Sequence, residues 1–166
     1  SLMSASPRTR RRSALALTAV LALSLTVAPA AAASAAVSTS CTGTTQAAVQ
    51  KRVLADVNAA RKAKGKKPLT LDSSMSRVAL AWSTKQATAN RMSHNPKYAS
   101  QIPSGWNRAA ENVAFGYTPT KVTPAWMKST GHRTNILGSY NRIGIGVACS
   151  KQGLPYYTQV FGSYAR

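Results

Sequence analysis

Apolar residues recur at helical spacing in the stretch that begins near residue 49. Val49, Val53 and Val57 are four residues apart, so they share one face of a helix that we predict here. Residues 42–45 offer side chains that cap helix starts, and Gly65 is typical of a helix end. Basic residues crowd the end of this helix and the loop that follows it: Arg61, Lys62, Lys64, Lys66 and Lys67.

A second helix is predicted to begin at Asp72-Ser73-Ser74, because short side chains with oxygen atoms cap helix N-termini. Its apolar positions share one face, which we expect to lie against the core: Met75, Val78, Ala79, Trp82 and Ala89. The periodic pattern is then lost over residues 92–110, where Gly, Pro, Ser and Asn are frequent. We therefore predict a long irregular loop, a kind of segment that often carries function in compact domains.

Short elements are predicted in the second half of the chain. The pattern favours a short strand over residues 111–116, a helix over 119–129 and a turn or short helix over 131–137. A strand follows in which β-branched residues alternate with small ones: Ile143, Gly144, Ile145, Gly146, Val147 and Ala148. The small residues leave one face almost bare, and a bare face allows a helix or another backbone to approach closely.

Residues 156–161 are rich in strand formers and are predicted to pair with this strand as a closing hairpin. Helices that come first and a hairpin that comes last favour the α+β class. In this class the helices pack on an antiparallel sheet.

The N-terminal segment has the three-part plan of a secretory signal peptide. Residues 8–12 carry four arginines, residues 13–27 are uncharged and largely apolar, and residues 30–36 are small and offer Ala-x-Ala cleavage positions. A membrane anchor is the alternative, but about 15 apolar residues are fewer than the roughly 20 that span a bilayer. We expect residues 1–36 to be a cloning remnant (Ser1-Leu2) and a cleaved signal, exported by the general secretory or twin-arginine route.

This division sets the expected domain boundaries and the charge of the mature chain. We expect residues 37–48 to be a lead-in and residues 49–166 to be one domain. The chain has 22 Lys and Arg against 3 Asp and Glu, a net charge of +19, and loss of the signal's four arginines leaves +15. Such a charge attracts polyanions. Export favours an anionic cell-wall polymer or lipid surface as partner over nucleic acid, for which no recognition module is found.

Cys41 and Cys149 are the two cysteines of the chain. In an exported protein an even number of cysteines suggests a disulfide, which here would close a loop of 108 residues. Two unpaired thiols are the alternative. The sequence leaves the oligomeric state open.

Three residues are candidates for a catalytic or metal-binding role, namely the two histidines of the chain and its one glutamate. His94, Glu111 and His132 all lie near Gly, Pro or Asn at predicted element boundaries. Two imidazoles and a carboxylate could bind Zn²⁺ or act as acid and base around a water. Their spacing matches no metal fingerprint, however, and taken alone it is more typical of exposed loop histidines with a capping or salt-bridging glutamate.

Several segments in a fixed order resemble the CAP superfamily, which unites cysteine-rich secretory proteins, antigen 5 and plant pathogenesis-related 1 proteins. The resemblance runs over residues 53–161. The segments that carry it are Asn58-x-x-Arg61, Leu71-Asp72, Met92-Ser93-His94, Ala110-Glu111-Asn112-Val113-Ala114, residues 126–137, residues 143–147 and residues 157–161. Residues 126–137 are closest to the form seen in bacterial members.

The resemblance implies a three-layer α-β-α sandwich whose central cleft is lined by two histidines and two acidic residues. His94, Glu111 and His132 match three of those four positions, and Ser129 stands where the family has its second acid. Ala110 also replaces the usual glycine. A cleft that lacks one carboxylate should bind Zn²⁺ or another divalent cation more weakly, and pairing of an acid with a base is in doubt.

Two functions follow from these observations. The first is a secreted bacterial binding module, not an enzyme, that acts at the cell envelope or outside the cell on an anionic wall polymer, a lipid or a small sterol-like apolar ligand. The second is a metal-assisted hydrolase or peptidase that uses His94, Glu111 and His132. A third reading, adventitious binding of nucleic acid, needs charge alone.

Overall fold

The computed structural model describes Cys41 and residues 45–165. The predicted signal over residues 1–36 lies outside the described residues, as does most of the lead-in. The helices are α1 (Gln46–Ala63), α2 (Ser73–Ala89), α3 (Tyr98–Gln101), α4 (Pro119–Lys128) and α5 (Thr130–Ile136). The strands are β1 (Thr70–Leu71), β2 (Trp106–Phe115), β3 (Arg142–Cys149) and β4 (Pro155–Tyr164). Within this part of the chain no helix combines the length and the apolar character needed to cross a membrane.

The four strands form one sheet in the order β1-β3-β4-β2. β4 pairs antiparallel with both β2 and β3, whereas the two-residue β1 runs parallel to β3 at one edge. Helices α1, α4 and α5 pack on one face of the sheet, around Ile143, Ile145 and Val147. Helix α2 covers the other face. The expected α+β sandwich of three layers is confirmed, with a central sheet that is antiparallel apart from β1.

Helix α2 lies directly against the backbone of β3, because two glycines leave room for it. A Cβ atom on Gly144 would lie 2.3 Å from the carbonyl carbon of Met75, and one on Gly146 would lie 2.2 Å from the backbone nitrogen of Leu80. Real side chains are never this close to a backbone, so the helix can occupy this position only while both residues are glycine. The predicted bare face is therefore the contact face of α2.

The outer edge of β3 extends beyond its short partner β1. Side chains from two helices form hydrogen bonds with the backbone groups that β1 does not pair. The Ile145 N–H donates to Ser76 Oγ (3.2 Å), and the Val147 N–H donates to Gln46 Oε1 (2.8 Å). The Ile145 carbonyl accepts from the side-chain amides of Gln46 and Gln50. An unsatisfied edge is a template for pairing with other chains. Here α1 and α2 supply the missing partners.

The starts of the first two helices follow the predicted caps. Thr45 Oγ1 accepts from the Ala48 N–H, and Asp72 Oδ1 accepts from the Met75 N–H.

The predicted inner face of α2 is partly wrong, since Ala89 is exposed and Trp82 only half-buried. Polar residues replace them in the interior, namely Ser76, Ser83 and Gln86. Ser83 is tolerated there because its hydroxyl bonds to the Gly146 carbonyl and to Thr158.

The predicted loop over residues 92–110 is shorter than expected. It contains α3, and β2 begins at Trp106, five residues before the predicted strand. Residues 106–108 are exposed and have no apolar alternation, so no local pattern marks them as a strand. Their pairing partners, Ser163 and Tyr164, lie more than 50 residues away along the chain. The remaining predicted elements are found within about two residues of their expected ends or are extended, as β4 is.

The predicted disulfide between Cys41 and Cys149 is present, with Cα atoms 6.1 Å apart and a sequence separation of 108. It ties the start of the described chain to the end of β3. In the chain-entropy model a loop of about 100 residues contributes up to about 4.7 kcal/mol through the unfolded state.

The contact of α2 with β3 can be tested by adding a single methyl group. Gly144→Ala and Gly146→Ala should each lower the free energy of unfolding by about 1–3 kcal/mol or more, because the new Cβ meets backbone that cannot move aside. Gly131→Ala is the matched control, since nothing lies within 4 Å of its Cβ position in α5. Urea denaturation should show the control unchanged or slightly more stable. Equal stability of all variants would contradict the close contact.

Candidate functional site

His94 and Glu111 are brought together by the structure, although 17 residues separate them. His94 lies in the segment that follows α2, and Glu111 lies in the middle of β2. The Nδ1 atom of His94 is 2.8 Å from Oε1 of Glu111, within hydrogen-bond distance. The same oxygen accepts the backbone N–H of Asn95 at 2.9 Å. One carboxylate oxygen therefore holds both the histidine ring and the backbone beside it.

Helix α2 determines where His94 lies, because its last turns hold the preceding residue. The indole N–H of Trp82 donates to the Ser93 carbonyl at 2.8 Å. The Ser93 N–H donates to Oε1 of Gln86 at 3.0 Å. Gln86 is fully buried and bonds in turn to Thr158 of β4. Both polar groups of the Ser93 backbone are thus satisfied, and the chain leaves α2 in a defined direction.

The two partners of this contact differ strongly in exposure. The His94 side chain is 64% exposed, and the Glu111 side chain is 1% exposed. Burial raises the pKa of Glu111 above its ordinary value, and the Asn95 N–H and His94 oppose that rise only in part. Oε2 of Glu111 is buried and has no hydrogen-bond partner among the described residues. A buried carboxylate with one free oxygen favours a proton more than an exposed one does.

His132 lies in α5, and a network of amide side chains positions it. Asn112 is fully buried, donates to the His132 carbonyl at 3.2 Å and accepts from Asn135 at 2.9 Å. Asn135 also donates to the Glu111 carbonyl at 3.2 Å. Burial lowers the pKa of His132 below its ordinary value, and the charge of His94 lowers it further. The chemical arguments from the sequence missed both asparagines, although they belong to the segments that carry the family resemblance.

A cleft of about 580 Å³ opens beside β2, the edge strand of the sheet. Its walls are mostly apolar and come from the segment after α2, the end of β2, the turn after it, α4, α5 and the residue between these two helices: Met92, Val113, Ala114, Phe115, Gly116, Tyr117, Thr118, Lys121, Ala125, Trp126, Ser129 and His132. The Trp126 indole N–H donates to the Val113 carbonyl at 3.1 Å and so fixes the inner wall. Ser129 and His132 line this cleft, whereas the contact of His94 with Glu111 is not part of its lining.

The arrangement of the potential metal ligands decides whether a metal ion fits this site. Among Cys41 and residues 45–165, no three His, Cys, Asp or Glu side chains lie where they could hold one ion together. Ser129, which stands where the resemblance places an acid, is the residue between α4 and α5. One oxygen of Glu111 already accepts two hydrogen bonds. The described residues therefore do not fit a zinc site with three protein ligands.

The comparisons with known proteins agree with this fold and these segments. The model of the cysteine-rich secretory protein family, CAP, matches residues 54–161. The chain belongs to this family. The protein YkwD of Bacillus subtilis is 37% identical over 117 residues, which are 65% of this chain and 46% of YkwD. The chain thus spans less than half the length of that relative.

Solved structures of other bacterial proteins share the fold at lower identity. An outer surface protein of Borrelia burgdorferi superposes with a TM-score of 0.66 at 18% identity, over 71% of this chain and 94% of that one. An extracellular protein of Bacillus anthracis that contains an SCP domain superposes with a TM-score of 0.57 at 23% identity. The superposition covers 71% of this chain and 41% of the Bacillus anthracis chain. The chain is thus a CAP-domain protein that shares its fold with these bacterial structures.

The burial of Glu111 predicts a pH dependence of stability. The pKa of Glu111 is raised in the folded state. The protonated carboxyl therefore contributes fully to the free energy of unfolding below about pH 4.5, and this contribution is lost as the pH rises through the raised pKa. Glu111→Gln removes this titration. Its stability relative to the parent protein should therefore improve from pH 4 to pH 8, measured by urea denaturation at several pH values.

The control for this measurement is Asp56→Asn, which removes a carboxylate from the surface pair of Arg52 and Asp56 on α1. It should change stability by less than about 1 kcal/mol at every pH. The titration of His132 is common to all three proteins and cancels in the comparison. A Glu111→Gln variant whose relative stability does not vary with pH would contradict the raised pKa.

Proposed function

We propose that this CAP-domain protein is a binding module, not an enzyme, that acts outside the cell at the envelope and holds an apolar ligand in the cleft beside β2. The observation that carries the proposal is the cleft itself. Its volume of about 580 Å³ falls within the range of roughly 300–1,000 Å³ that small-molecule sites occupy. Mostly apolar walls with a few polar groups are also typical of such sites.

Exposed apolar side chains at the cleft support this function. Met92, Phe115 and Tyr117 are each 44% exposed, although each could bury more area against a ligand. The Phe115 ring stacks on Tyr156 with centroids 5.5 Å apart, so its position is set before a ligand arrives. The hydroxyl of Tyr157 donates to the Tyr117 carbonyl at 2.7 Å and holds the next part of the wall.

The polar groups of the cleft indicate what kind of head group a ligand would have. Lys121 and His132 both contribute to the lining, and no acidic side chain does. An apolar molecule with an acidic or hydrogen-bonding head group would match this lining, as a lipid or a sterol-like ligand does. The net charge of +15 without the predicted signal would hold the module near an anionic wall polymer or lipid surface. The extracellular and outer-surface relatives support the same location.

The ligand site can be tested with a fluorescent fatty acid, 11-(dansylamino)undecanoic acid. Ala125→Trp places a large side chain in the cleft and should raise the dissociation constant at least about tenfold, a loss of about 1.4 kcal/mol. Ala81→Trp is the matched control, because Ala81 is exposed on α2 and does not line the cleft. Absence of saturable binding to the parent protein, or equal binding by both variants, would contradict the proposal.

The second candidate function is a metal-assisted hydrolase that uses His94, His132 and Glu111. The observation that favours it is the free, buried Oε2 of Glu111. Calorimetry with Zn²⁺ separates the two functions. We expect no saturable heat, because fewer than three of the described donors converge on one point. Saturable heat that is lost in the His94→Ala, His132→Ala double variant would favour the hydrolase instead.

A further inference from the structure

Two adjoining clefts lie apart from the apolar one. Their volumes are about 420 and 440 Å³, and they share the walls formed by Lys66, Gly138, Ser139 and Tyr140. Neither has a residue in common with the lining of the apolar cleft. We name this pair of clefts the basic clefts, since their other lining residues include the cations Arg61, Lys67, Arg108 and Arg133.

The basic clefts have no acidic side chain to neutralise them. The chain contains only three acidic residues, and each is paired elsewhere. Asp56 pairs with Arg52, Asp72 pairs with Arg142, and Glu111 contacts His94. The positive charge of the basic clefts is therefore not compensated by any Asp or Glu of this chain. A ligand that supplies negative charge would gain from each cation that it meets there.

The walls of the basic clefts are held in place by a buried arginine. Arg61 is 2% exposed. Its guanidinium donates to the Lys67 carbonyl on one side and to the Ile136 and Gly138 carbonyls on the other, each at 2.8 Å. One side chain thus fixes both the loop that bears Lys66 and Lys67 and the turn after α5. These walls are set before any ligand binds.

A second contact orients the cation that β2 contributes. The guanidinium carbon of Arg108 lies 5.9 Å from the centre of the Tyr140 ring, a cation–π distance. Tyr140 forms part of the wall that both clefts share. Cations from three separate elements therefore surround one recess: Lys66 from the loop after α1, Arg108 from β2 and Arg133 from α5.

We propose that the basic clefts bind a phosphate-bearing polymer chain through successive phosphate groups. Cations that approach from three elements match a tetrahedral phosphate, whose oxygens point in several directions, better than a planar carboxylate. Two adjoining recesses match a flexible chain that carries more than one phosphate. A bilayer surface is flat on this scale and would meet only the rim of the recesses. This inference deepens the envelope-binding part of the proposed function and rests on it.

The test compares two triple variants that remove the same charge. Lys66→Gln, Lys67→Gln, Arg108→Gln alters exposed cations of the basic clefts, and leaves Arg61 and Arg133 in place. The matched control alters three exposed lysines that line none of the clefts described above: Lys51, Lys97 and Lys151. The probe is soluble poly(glycerol phosphate), titrated by calorimetry at several NaCl concentrations. Vesicles of phosphatidylglycerol and soluble poly-glutamate serve as the other arms.

We expect the cleft variant to bind poly(glycerol phosphate) at least about tenfold more weakly than the control variant at the same ionic strength. The slope of log affinity against log salt should fall by about two, as three phosphate contacts on a flexible chain are lost. The control should stay within about threefold of the parent protein. Poly-glutamate should bind more weakly than the phosphate polymer and should not distinguish the variants.

Equal weakening of both triple variants would overturn the inference, because attraction by net charge alone predicts that result. A selective loss of binding to phosphatidylglycerol vesicles but not to the polymer would also overturn it, in favour of a membrane partner.

Failure of the underlying proposed function would give a different result. In that case the parent protein itself binds neither the polymer nor the vesicles. Both variants should keep the parent's affinity for the fluorescent fatty acid, which shows that they remain folded.

Discussion

The close contact of α2 with the glycines of β3 is the constraint on which the rest of the structure depends. It brings Ser76 and Ser83 within hydrogen-bond distance of the β3 backbone, so polar side chains can be buried under the helix. It also sets the height of α2 above the sheet. Because the last turns of α2 hold Ser93, that height determines where His94 meets the sheet and contacts Glu111. The two glycines of β3 therefore influence the position of His94 in the candidate site.

The scarcity of acidic residues gives each of the three a defined task. Asp72 caps α2 and pairs with Arg142, Asp56 pairs within α1, and Glu111 holds the segment after α2. None remains to balance the cations of the basic clefts. The molecule thus combines an apolar cleft with a separate region of uncompensated positive charge. This combination suits the proposed binding module, which would stay on an anionic matrix while it holds another molecule.

Residues with a regular pattern predicted the fold well, and isolated residues did not. The alternation of β-branched residues and glycines predicted both β3 and its close contact with a helix. The start of β2 was missed because its pairing with Ser163 and Tyr164 is distant and its side chains are exposed. Arg61 belongs to the run of basic residues at the end of α1, yet it is buried, and its guanidinium donates to carbonyls 75 or more residues away. His94, Glu111 and His132 could be named as candidates from residue type and resemblance, whereas the amide network around Asn112 leaves no periodic signal.

The disulfide between Cys41 and Cys149 has a consequence for resistance to proteolysis. It encloses helices α1 to α5, the exposed segment after α2 and the whole of β2 within one covalent ring. A single peptide-bond cut anywhere inside that ring leaves the two fragments attached to each other. The cut ends can therefore reassociate at the high local concentration of tethered partners. A piece of the enclosed chain is released only after a second cut inside the ring.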